Sequence, residues 1–181
     1  MNKKKRGRPQ KENLQLNSTL ILECAKKLLL EENKIPSIRK IALKLNIDPM
    51  SIYYYFPNKN SLLEEITSSL MKNIYKPKNS NDWKNELKLL SKSYLNLLSD
   101  YPGLLEIMLQ MESSEPANEF INRLRIVLSN LELNDEHFNS ALCLLADYLH
   151  GVALAIQCDS KNKLSINQID RPLLLFVKAI E

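Results

Sequence analysis

Glycine is nearly absent from this chain, with three residues in 181. Folds built on tight reverse turns and left-handed loops draw heavily on glycine, so turn-rich β-architectures are disfavoured. A glycine loop cradling phosphate is missing for the same reason. Histidine is almost as scarce: His137 and His150 lie in no Ser/His/Asp arrangement, which argues against a hydrolytic enzyme. His150 follows Asp147 by three positions but lacks a third ligand at metal spacing, so it reads as a hydrogen-bonded helix histidine, and His137 as a solvated one. No metal and no cofactor are expected. The cysteines, Cys24, Cys143 and Cys158, are odd in number and without metal-like spacing, which suits a reducing cytoplasm better than a disulfide framework. No uninterrupted apolar run approaches the roughly 18 residues of a membrane span, and the N-terminal lysines lead into Gly-Arg-Pro-Gln-Lys instead of a signal-peptide core.

What is abundant is apolar and helix-forming. Hydrophobic residues make up 44% of the chain, with many Leu, Lys, Glu and Asn, so an all-α fold of about nine helices is expected, with a core that needs no staple. Charge is divided unevenly. Residues 1 to 76 hold 15 Lys/Arg against 7 Asp/Glu, and residues 77 to 181 hold 10 against 14, so a net of +8 is joined to a net of −4. A polyanion partner is expected for the first part only, either nucleic acid or an anionic membrane surface on charge alone.

Three segments follow from patterning: a basic arm over 1–13, a helical unit over 14–76, and a second helical unit over 77–181, with the linker-like stretch Lys76 to Asn81 where the charge changes sign. After Asn17-Ser18, residues Leu20, Ile21, Cys24, Ala25, Leu28 and Leu29 form one stripe of a helix ending at Glu32, with Asn33 as a left-handed stop. Ser37 caps a short second helix whose Ile38, Ile41, Ala42 and Leu45 face inward while Arg39, Lys40 and Lys44 face out. Asp48-Pro49 starts a brief third helix, Pro49 to Tyr55. Asn58 then opens a fourth over about 58–75. Later helices are expected from Asp82 to the stop at Tyr101-Pro102-Gly103, then over 104–111, 115–130, 141–158 and 171–180, the last two apolar around most of their circumference.

Short helices with basic outer faces, the second and third joined by a three-residue turn, suit a major groove: one helix supports and the next inserts. Pro49, Met50, Ser51, Tyr53 and Tyr54 would be the outward set, because hydroxyls donate to phosphate and Met or Pro packs on a thymine methyl. Three consecutive tyrosines cannot all point into one core, which weighs against a plain helical bundle.

The segments Ile21 to Asn33, Ser37 to Ile47 and Ser51 to Leu63 together resemble the DNA-binding domain of the tetracycline-repressor (TetR) family, most specifically in Tyr53-x-Tyr55-Phe56-x-x-Lys59-x-x-Leu62-Leu63. The resemblance spans about residues 14 to 74. It implies that Ser37 and Arg39 meet phosphate and a base edge, that Pro49, Met50 and Ser51 read bases, and that Tyr53 and Lys59 clamp phosphate. Asn33 and Asn46 stand where that family usually has glycine, and Asn tolerates positive φ next best. Arg6-Gly7-Arg8-Pro9 in the arm looks like the core of an AT-hook, which would direct Arg6 and Arg8 into an A·T minor groove.

The same resemblance implies a C-terminal domain that dimerises through its last two helices, 141–158 and 171–180, and encloses an effector pocket. Trp83, Tyr94, Leu98, Ile107, Met108, Met111, Phe120, Leu124 and Tyr148 are the pocket candidates, each also readable as plain core. A homodimer would present two reading heads to half-sites one helical turn apart, about 34 to 36 Å, so a near-palindromic operator is expected. An effector packing against residues 83–111 would tilt the fourth helix and change the spacing of the heads. The expected function is a ligand-responsive, cytoplasmic DNA-binding repressor, associated with the nucleoid when bound and with no membrane partner. The rival reading is a less specific architectural protein for AT-rich DNA.

Overall fold

Most helices open on a side chain that answers their first free amides. The computed structural model describes residues 16–111, 113–161 and 163–181, so the basic arm lies outside the described residues. Asn17 accepts from the Leu20 amide at 2.8 Å and starts α1 (Ser18–Glu32). Ser37 caps α2 (Ile38–Leu45) and Asp48 caps α3 (Pro49–Tyr53) through the Met50 amide at 2.7 Å. On α4 (Lys59–Met71), Asn58 and Ser61 bond each other reciprocally, satisfying two orphan donors at once. Asp82 caps α5 (Trp83–Asp100), α6 runs Leu104–Gln110, α7 runs Glu115–Val127 with Pro116 in its first turn, Asn134 caps α8 (Asp135–Cys158), and α9 is Asp170–Ile180. Short 3-10 turns occupy Ser129–Leu131 and Ile166–Ile169. Among the described residues there are nine α-helices and no strand.

The stripes expected from periodicity are the buried ones. Ile21, Ala25, Leu28 and Leu29 of α1, and Ile38, Ile41 and Ala42 of α2, close over Ile52, Phe56, Leu62 and Ile66. Asn33 and Asn46 do take left-handed backbone, at φ 52° and 55°. Glu132, with φ 49°, does so without the local hydrogen bonding that makes Asn tolerant, a strain that the sequence pattern did not signal.

Several boundaries differ from the expectation. Helix α3 stops at Tyr53 because the chain tightens, with the Tyr55 and Phe56 amides both donating to the Ile52 carbonyl before Pro57. Helix α8 begins at Asp135, six residues before the apolar run, because Asn134 is its cap and two acidic residues favour the positive helix end. Helix α4 ends at Met71, near residue 71 instead of 75, and the 3-10 turn before α9 was not foreseen.

Helix α4 belongs to both halves of the molecule, packing on α1 on one side and on α6 and α7 on the other. Gly103, between α5 and α6, is where the halves come closest at a glycine: a Cβ there would sit 3.1 Å from Leu29 Cδ1. The linker-like stretch is tied down, since Glu86 of α5 accepts from the Tyr75 hydroxyl at 3.0 Å and from the Lys78 amide at 2.8 Å. In the second half, α5 lies against α7, α8 and α9.

Left-handed strain gives a stability test. Asn46→Ala is expected to lower the unfolding free energy by about 1–2 kcal/mol, and Glu132→Gly to raise it by up to about 1 kcal/mol, in urea titrations. Unchanged midpoints in both variants would show that these residues carry no strain.

Candidate nucleic-acid interface and candidate effector site

The three residues Asn46, Ile47 and Asp48 form the turn between α2 and α3. The Asn46 amide donates to the Leu43 carbonyl at 3.1 Å and the Ile47 amide to the Ala42 carbonyl at 3.0 Å, so the end of α2 is closed by left-handed geometry without glycine. Asp48 and Pro49 then restart the chain at once. Helix α3 is too short to hold itself in place by propensity. It is fixed by Ile52, which is completely buried, and by Phe56 just beyond it.

That anchoring turns the opposite face outward. Met50 is 70% exposed and Tyr54 84% exposed, Tyr53 is also exposed, and Pro49 and Ser51 are half-buried. The third tyrosine goes inward: the Tyr55 hydroxyl donates to the Leu16 carbonyl at 2.6 Å, while its ring meets Tyr54 edge-on at 5.1 Å between centroids. Two tyrosines, a methionine and a serine therefore project from a short rod whose base is a packed core.

Cations flank the rod. Arg39, on α2, is exposed and makes no ion pair among the described residues, and the same holds for Lys59, in the first turn of α4. Lys40 and Lys44 differ, being paired with Glu32 and Glu31 of α1. Ser37 is exposed, and its hydroxyl oxygen accepts from the Lys40 amide at 3.2 Å, which leaves its proton free to donate. The free amides at the start of α4 add positive potential beside Lys59. Exposed donors free of ion pairs among the described residues therefore stand on α2 and at the start of α4, with exposed tyrosines on and just after α3. Arg6 and Arg8, the expected minor-groove pair, lie outside the described residues.

The nine pocket candidates are not gathered in one place. Trp83, Leu98 and Leu124 are core, and Tyr94 and Phe120 pack ring to ring at 4.7 Å between centroids. Ile107 and Met111 line a polar cleft of about 390 Å³ with Asn58, Ser61 and Glu64 at the start of α4. Tyr148 lines an open, almost wholly apolar groove of about 320 Å³ with Leu144, Leu175 and Phe176, between α8 and α9.

Around Tyr94 the structure shows His150 as the hydrogen-bonded helix histidine expected from the sequence, and identifies its partner. The Tyr94 hydroxyl and His150 Nε2 are 2.8 Å apart, and Met108 Sδ lies 3.9 Å from the same hydroxyl. Burial raises the Tyr94 hydroxyl well above its usual range, so it remains a proton donor. His150 is held below its ordinary value by burial, partly opposed by the Asp147 carboxylate. A phenol, a neutral imidazole and a thioether thus converge beside Phe120, where α5, α6, α7 and α8 meet. Spacing alone could not reveal this, because the partners are 56 residues apart.

Comparison with known proteins separates the chain into two matched stretches. Residues 21–66 match the family model described as bacterial regulatory proteins, tetR family, and residues 76–169 match the tetracyclin repressor-like C-terminal domain. A curated relative, the HTH-type transcriptional repressor DrrR1 of Streptomyces coeruleorubidus, is 25% identical over 120 residues, covering 65% of this chain and 44% of its own. The chain therefore spans less than half the length of that relative. Among solved structures, BioQ with its double-stranded DNA operator superposes with a TM-score of 0.76 at 18% identity, covering 92% of this chain and 98% of that one. The Streptomyces coelicolor protein ActR in complex with (S)-DNPA gives a TM-score of 0.74 at 16% identity, covering 91% and 97%.

The lowered His150 value has a consequence for stability. The unfolded chain takes up this proton first, near the ordinary value of 6.5, so the contribution is complete above that pH. It shrinks as pH falls from there toward the lower folded value. Thermal melts from about pH 7.5 to 5 should show stability falling in the wild type and a flatter profile in His150→Gln. Parallel profiles would mean that His150 titrates as freely folded as unfolded.

Proposed function

This chain belongs to the tetR family of bacterial regulatory proteins, and from that premise we propose that it is a ligand-responsive transcriptional repressor that reads a near-palindromic operator as a homodimer. The observation that carries this reading is the outward face of α3, with Met50 and Tyr54 in solvent above a buried Ile52. A rod of that kind is unfavourable in water and suited to a groove. Pro49, Met50 and Ser51 read base edges; Arg39 reads one base from α2; Ser37, Tyr53, Tyr54 and Lys59 hold the phosphates on either side. Arg6 and Arg8 extend the contact into the minor groove. The unit over 14–76 does the reading and that over 77–181 pairs and senses.

Pairing is supported by what α8 and α9 leave uncovered. Ala141, Leu145, Leu149 and Ala153 face α5, while Leu144 and Leu154 of α8 and Leu174 and Leu175 of α9 are exposed, Leu175 by 70%. By length and composition α8 could cross a membrane. Its one-sided packing against α5 and α9, and the acidic Asp147 on its outer surface, fit a helix-to-helix contact in water instead. Gly151 has open space around it, which allows a second helix to approach closely.

The effector site is the Tyr94–His150–Met108–Phe120 cluster. A ligand with an aromatic body and a polar edge would replace the Tyr94–His150 contact and part α7 from α5. Members of the family are transcriptional regulators and not enzymes, and we place this one in the cytoplasm. The architectural alternative is not favoured, since both matched domains are those of regulators and the curated relative is a repressor.

An operator selected by the purified protein from random duplex tests the reading. Arg39→Ala should cost about 1–3 kcal/mol and relax one operator position, whereas Lys59→Ala should weaken all sequences alike and lower the salt slope by roughly one. Identical effects of the two changes would overturn that division of roles. Separately, Leu175→Glu should yield a monomer by sedimentation and abolish tight operator binding; a dimer that still binds would remove α9 from the interface.

A further inference from the structure

Arg123 is the charged side chain that the DNA-reading account leaves unexplained. It lies on α7, far from the exposed rod, and is 4% exposed. All five of its N–H groups are engaged. Nε and one terminal nitrogen donate to Glu119 Oε1, one turn back on α7, at 2.8 and 2.5 Å. That same nitrogen donates to the Lys72 carbonyl at 3.0 Å, and the other terminal nitrogen donates to the carbonyls of Ile74 and Tyr75, the latter at 3.1 Å.

Those carbonyls are the one at the C-cap of α4, Lys72, and two just beyond it, beside a helix terminus that carries partial negative charge. A single hydrogen bond would hold the position of this helix end. A planar fork spread over three carbonyls also restrains its direction, because guanidinium donors cannot swivel independently. The far end of α4 carries Lys59 and follows α3 after the five residues 54–58. Over 13 residues α4 is about 20 Å long, so a tilt of roughly 5° at the Arg123 end displaces the reading end by about 2 Å. That is comparable with the rise of about 3.4 Å between successive bases.

From this geometry we infer that Arg123 sets the separation of the two reading heads, and thereby selects the spacing between operator half-sites, although it touches no DNA. The inference rests on the proposed dimeric operator reading. It also places Arg123 on the route from the effector cluster, since α7 carries Phe120, beside Tyr94, about one turn before Arg123. Glu119 holds the guanidinium to α7, so the carbonyl clamp follows any movement of that helix.

The test uses the full-length protein and three duplexes: the operator it selects from random sequence, and the same half-sites separated by one base pair more and one fewer. The wild type should prefer the selected spacing by at least about tenfold. Arg123→Lys keeps the charge but loses the fork, and Arg123→Met loses both; each should reduce the preference to about threefold or less while leaving affinity for an isolated half-site unchanged. A merely structural role would lower affinity for all duplexes together. Retention of the full spacing preference by folded Arg123 variants would overturn the inference. Should neither variant fold, Glu119→Gln carries the same measurement with the guanidinium in place: a weakened preference supports the inference and an unaltered one overturns it. If the wild type selects no paired half-sites at all, the operator reading falls first, and this assignment with it.

Discussion

A buried guanidinium holds the end of α4, and the two halves of the molecule are organised around that contact. Helix ends must have their last carbonyls answered, and a charge taken out of water must have its donors engaged. Here each requirement meets the other. Arg123 is satisfied by the carbonyls of Lys72, Ile74 and Tyr75, and those carbonyls by Arg123. Glu119 fixes the same guanidinium to α7, so the contact ties the end of α4 to α7. Glu86 does comparable work on the next few residues by tying Tyr75 and Lys78 to α5.

The proposed DNA-reading surface depends on equally short elements. Helix α3 is five residues long, and its outward side chains are held by one buried isoleucine, one phenylalanine and two caps. A rod so brief cannot be positioned by its own backbone bonds. Its direction comes from the core beneath it and from α4, which follows within a few residues. In the proposed mechanism, moving α4 moves the exposed face of α3 with it, so that a change in the second half reaches a surface that it does not touch. The thermodynamic limit is the usual one: an effector shifts the equilibrium only by its difference in affinity between the two arrangements.

In the second half the proposed effector chemistry is concentrated where four helices meet. Tyr94, His150 and Met108 place a donor, a neutral imidazole and a polarisable sulfur beside the Phe120 ring. This cluster is held together by one short contact between a phenol and an imidazole. The remaining apolar candidates serve the core or line open grooves, which explains why a list of large residues on amphipathic helices could not pick out a pocket. Aromatic and aliphatic residues look alike in sequence whether they pack against protein or against a ligand.

Much of the fold was legible before any coordinates. Scarce glycine and stripes at three and four residues imposed helices; Asn17, Ser37, Asp48 and Asn58 marked their starts, since caps are local chemistry; and the Tyr53 to Leu63 segment identified the reading head. Asn33 and Asn46 could be placed in left-handed backbone because that preference is also local. The arrangement of groups far apart in the chain belonged to the tertiary structure alone. Nothing around residue 123 announces a buried arginine, because its acceptors are backbone carbonyls about fifty positions away. His150 could likewise be read as a hydrogen-bonded helix histidine, but its partner, Tyr94, was fixed only by folding. Sequence determined which helices form and which faces they bury; packing decided where α4 stops, which polar side chains lose water, and what they must bond in its place.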